Sequence, residues 1–190
     1  SPQWEKLLEA SARADVQMRE QPEAWWSSQA KRLSAEWLAS GLPTSRLEAW
    51  KYTSLVGLHA KARTVGLGPV DVKAPPGVLV FTLSQVSKQT ALNEADRLRV
   101  RHLLETPSEV FTEKLAKSLV VDPFVVWIPS DFQTDASVEI SWKSLPAEQW
   151  GLGVVAVMVG AKSEVKIIET YGAGVDAQAR KYAQAHVEAA

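Results

Sequence analysis

Chemistry in this chain would have to be assembled from three histidines, two glycine clusters, one arginine-rich stretch and eight tryptophans. His59, His102 and His186 stand far apart, and none falls in the HxxxH or HxH spacing that presents two imidazoles to one metal ion. Cysteine is absent. Disulfide frameworks, thiolate metal sites, cysteine nucleophiles and thiolate-held iron-sulfur clusters are therefore excluded from this segment. Gly66-Leu67-Gly68 and Gly151-Leu152-Gly153 lack the GxGxxG and GxxxxGK(S/T) contexts that cradle phosphates, and read as turns. A GxSxG nucleophile elbow is missing too, and among 22 carboxylates the sequence singles out no catalytic pair. Catalytic, cofactor-binding and metal residues are thus assigned to none of the positions, and the chain is read as a non-enzyme. Arg97, Arg99, Arg101 and His102 form the densest basic group. With Arg97 and Arg101 at i, i+4 they read as the solvated face of a helix, phosphate binding being the sharper alternative.

The elements that would position these residues follow from periodicity. Ser1-Pro2 with Trp4, Leu7, Leu8 and Val16 predicts an amphipathic helix to about residue 20. A second helix starts at Pro22 and carries the stripe Trp26, Ala30, Leu33 and Trp37; Gly41 and Pro43 stop it. That stripe reads as core, with a ligand-stacking platform as the alternative. Residues 41–76 are rich in Gly and Pro and read as loops and extended pieces. Val78 to Leu83 predicts a strand, and Leu92, Ala95, Leu98 and Leu103 a helix over about 89–105. Thr106-Pro107-Ser108-Glu109 has the form of a capping box opening a helix with Phe111, Leu115 and Leu119.

From Val120 the pattern becomes β-rich. Val125–Ile128, the alternation Val138, Ile140 and Trp142, the run Val154–Val159, and Val165, Ile167 and Ile168 predict four strands without helix-length segments between them. An antiparallel meander and a β-helix both fit. In residues 172–190 the alanine content favours a helix, while Ala183, Ala185, Val187 and Ala189 alternate at period two, as a strand would.

One segment stands apart. Gly41-Leu42-Pro43-Thr44, then Arg46, Glu48, Trp50-Lys51-Tyr52-Thr53 and Leu55, place two large aromatics within three residues just after a helix stop. Read physically, Trp50 and Tyr52 pin the helical hairpin to the body. The same run resembles a signature of the SufB/SufD family of iron-sulfur cluster assembly scaffolds, on its SufD side, and the stretches 111–129 and 154–171 are more loosely similar to that family's β-helix.

The resemblance implies mixed α and β structure: a mainly helical region over 1–120, then the first rungs of a right-handed parallel β-helix over 121–190, truncated at Ala190. It implies a cytoplasmic, non-catalytic scaffold that joins SufB-like and SufC-like subunits, without a cofactor in this segment. An open β-helix edge would invite self-association. The net charge of -1 argues against a nucleic-acid binder, and no apolar stretch is long enough for a membrane span. The alternative is a Trp-rich carbohydrate-binding or carbohydrate-active β-helix protein, which needs coplanar, exposed Trp rings.

Overall fold

A computed structural model of the chain describes residues 2–41, 43, 46, 64–67, 70–106, 110–143, 149–172 and 181–189. Helices α1 (Pro2–Met18) and α2 (Ala24–Ser40) lead into β1 (Thr64–Leu67), β2 (Val70–Lys73) and β3 (Leu79–Thr82). A 3-10 helix (Leu83–Lys88), α3 (Glu94–Glu105) and α4 (Phe111–Leu119) follow, and then β4 (Phe124–Ile128), β5 (Gln133–Trp142), β6 (Gln149–Val159), β7 (Glu164–Tyr171) and β8 (Lys181–Ala189). The period-two reading of the last segment is the one the backbone adopts.

The stripe of α2 is buried as expected: Trp26, Ala30, Leu33 and Trp37 face inward, joined by Gln29. Gly41 ends the helix at φ 71°, donating its N–H to the Trp37 carbonyl at 3.0 Å. In α1 the buried line is Leu7, Ala10, Ala14 and Met18, whereas Leu8 and Val16, expected in the stripe, are exposed. Leu7 and Leu8 lie about 100° apart around the helix, so only one can face the core. Helix α3 is shorter than expected. Asn93 caps it, its side chain accepting from the Asp96 N–H at 2.9 Å while the Asp96 carboxylate accepts from the Asn93 N–H at 3.3 Å. Val100, Leu103 and Leu104 are its buried residues, and Leu98 is exposed. Thr106 closes α3 instead of opening α4: its N–H and Oγ1 both donate to the His102 carbonyl at 2.9 Å.

The strands form two mixed sheets. In the five-stranded sheet β6 lies parallel to β4, β1 and β8, and β3 runs antiparallel to β4. In the three-stranded sheet β5 is parallel to β7 and antiparallel to β2. From β4 onward the chain alternates between the sheets, which yields parallel neighbours without helical crossovers. These sheets overturn the expected right-handed parallel β-helix. Each contains an antiparallel pair in which a strand that precedes residue 83, β2 or β3, joins one that follows Pro123, and helices cover one face of the larger sheet. The near-continuous apolar run of β6 records burial on both faces, which a helix-covered sheet produces as well as a β-helix does.

The result is three layers. Val125, Leu152, Val154, Ala156 and Met158 face the helices. Val126, Ile128, Val155 and Val157 face the other way, against Val138, Ile140 and Trp142 of the smaller sheet. The glycine clusters are strands and not turns: Gly66 and Leu67 belong to β1, and Gly151 to Gly153 to β6. Gly153 lies under Trp142, where a methyl group would overlap the indole benzo ring. A turn at Gly160 follows β6, its N–H donating to the Ile128 carbonyl at 2.8 Å, and a methyl there would strike the backbone of Pro129 and Ser130.

Candidate functional site

Most polar side chains that reach the interior are engaged in holding the helices in place. Trp26 Nε1 donates to the Val120 carbonyl at 3.0 Å, and Trp37 Nε1 to Ser118 Oγ at 2.9 Å. Gln29 Nε2 donates to the Leu104 carbonyl at 2.7 Å and Gln21 Nε2 to the Val121 carbonyl at 2.8 Å. Lys117 and Glu113, one helical turn apart on α4, form a buried ion pair at 2.7 Å, and Lys117 Nζ also donates to the Thr106 carbonyl at 3.1 Å. With its charge matched and a second acceptor present, the ammonium is satisfied without solvent. Asp122 accepts from the Ser84 N–H at 2.8 Å and from Ser84 Oγ at 2.7 Å, tying the turn before β4 to the 3-10 helix.

Two surface features are less fully engaged. A cleft of about 370 Å³ runs between α1 and α2, bordered by Leu8, Ala12, Met18, Ala35 and Leu38. A hydroxyl contact between Ser11 and Ser34 and an ion pair from Lys31 to Asp15 bridge it. The second is a groove of about 200 Å³ where the start of α2 meets the 3-10 helix and α3. Leu83, Val86 and Val100, all buried, line it together with half-buried Trp25, and Arg97 and Arg101 stand beside them. The Arg101 guanidinium lies 5.5 Å from the Trp25 ring centroid, close enough for a cation–π contact, and ion-pairs with Glu105 at 3.1 Å. Trp25 Nε1 is taken by Glu23 at 2.8 Å.

A third cluster lies where the paired strands β5 and β7 end. Trp142 Nε1 donates to the Glu169 carboxylate, and the Tyr171 ring stacks on Trp142 with centroids 6.4 Å apart and planes 9° apart. Partial burial, reinforced by the hydrogen bond to Glu169 and its negative charge, pushes the Tyr171 phenol well above the usual tyrosine range. On the helical side the ammonium of Lys114, hydrogen-bonded to Glu36 with a separation of 3.3 Å, helps hold that carboxyl below its ordinary value.

The sequence-derived candidates distribute as follows. His102 lies in the last turn of α3 and His186 in β8, while His59 falls outside the described residues, as do Trp50 and Tyr52. Trp26 and Trp37 are fully buried, which removes them as a sugar-stacking platform. Trp25 and Trp26 meet edge to face at 75°, not coplanar. The basic group is split: Arg97 and Arg101 share the groove, while His102 is the last-turn residue whose carbonyl Thr106 caps. Sequence reading missed the groove because Trp25 and Arg101 are 76 positions apart, and only the docking of α2 on α3 makes them neighbours. It also missed the Lys117–Glu113 pair, although its i, i+4 spacing on a strongly amphipathic helix was a usable signal.

Among the described residues no group of three or more His, Asp or Glu side chains could hold a metal ion, and no helix is long and apolar enough to cross a membrane. Comparison with protein-family models, with curated proteins and with solved structures finds no match.

Proposed function

We propose that this chain is a non-catalytic scaffold subunit of Suf-type iron-sulfur cluster assembly, working in the cytoplasm with SufB-like and SufC-like partners. The observation that carries the reading is the run Gly41-Leu42-Pro43-Thr44, Arg46, Glu48, Trp50-Lys51-Tyr52-Thr53 and Leu55. Its reading as a scaffold does not depend on the β-helix expectation, which the two mixed sheets replace. A binding role is supported by geometry: Trp26, Trp37, Gln29 and the Lys117–Glu113 pair are committed to internal contacts, while two grooves between helices stay accessible among the described residues. Clusters would be cargo of the assembled complex, and no residue of this chain is given a cluster-handling role.

Co-expression of the chain with SufB-like and SufC-like proteins, followed by affinity capture through a tag on this chain, tests the proposal. Retention of at least one of the two through size-exclusion chromatography is expected. Capture of neither overturns the assignment.

A further inference from the structure

We draw no further inference here: the strongest candidate, the outer edge of β7 (Glu164–Tyr171), a strand that among the described residues pairs with β5 alone, is an unpartnered sheet edge, and nothing in the structure shows what covers it.

Discussion

Where the helices pack on one another, buried side chains carry polar atoms with specific partners; where the two sheets meet, the contacts are almost wholly apolar. The first interface holds Trp26, Trp37, Gln29, Ser118 and the Lys117–Glu113 pair. The second holds Val126, Ile128, Val138, Ile140, Val155 and Val157, with the Trp142 indole as its polar exception. The contrast follows from what fixes register in each layer. Strand register is set by the backbone ladder and by period-two burial, so β-branched side chains need only fill space. Helices packed against one another have several ridge-and-groove registers of similar apolar content, and directional bonds such as Trp26 Nε1 to the Val120 carbonyl at the end of α4 select one.

The largest expected effect tests that contrast where charge is buried. Glu113→Ala strands the Lys117 ammonium in the core with the Thr106 carbonyl as its remaining named partner, and should cost about 3–5 kcal/mol in urea denaturation. The paired replacement Glu113→Leu with Lys117→Met removes both charges and should recover most of that loss. If the paired variant is as stable as the parent but broadens the indole spectrum, the ion pair contributes register and not stability. A loss under about 1 kcal/mol in the single variant would show the pair to be dispensable and the contrast between layers to be overdrawn.

The inter-sheet layer should respond to volume, not to charge. Gly153→Ala drives a methyl into the Trp142 ring, which cannot swing aside freely because Glu169 holds its Nε1 and Tyr171 stacks on it. A loss of about 1–3 kcal/mol is expected. Trp142→Phe makes room, so the double variant should fall short of additivity, with a coupling of about 0.5–3 kcal/mol in a double-mutant cycle. Strict additivity would mean that Gly153 is required for some reason other than the ring above it.

The same contrast explains what was legible from sequence. Burial patterns that repeat locally were readable, as in the Trp26 to Trp37 stripe and the alternation of Val138, Ile140 and Trp142, whereas the tail that forms β8 offered helix propensity and period two alike. Features decided by distant neighbours were not. Leu8 and Leu98 are as apolar as Leu7 and Leu103, and only the packing partner shows which one turns inward. Thr106 carries equal credentials for closing one helix and opening the next, and the geometry used it for the first. Gly151 and Gly153 looked like a turn because a ring lying over a strand leaves no local trace. The strand run itself was read correctly, as was β3, but β1 and β2 are four-residue strands in a segment read as loops and extended pieces, and the antiparallel pairings of β2 with β5 and of β3 with β4 displace the β-helix. The groove of Trp25, Arg97 and Arg101 joins residues from separate helices, which no spacing rule connects.

The smallest expected effect sits at the rim of the inter-sheet layer, where Tyr171 can be titrated with base. Tyr171 is half-exposed, and partial burial together with Glu169 raises its phenol above the ordinary value of 10.0. For an acid whose folded form resists ionisation, the unfolded chain releases the proton first. The stabilising contribution is therefore complete below pH 10 and drains away as pH rises above it, because ionisation then favours the unfolded state. Solvent screening at a half-exposed site keeps the effect modest. The melting temperature of the parent should decline more steeply between pH 9.5 and 11, in steps of about half a unit, than that of Tyr171→Phe, which keeps the ring stacked on Trp142 but has no proton to lose. Parallel curves would mean that Glu169 interacts with Trp142 alone, and that Tyr171 is held by packing without any contribution from charge.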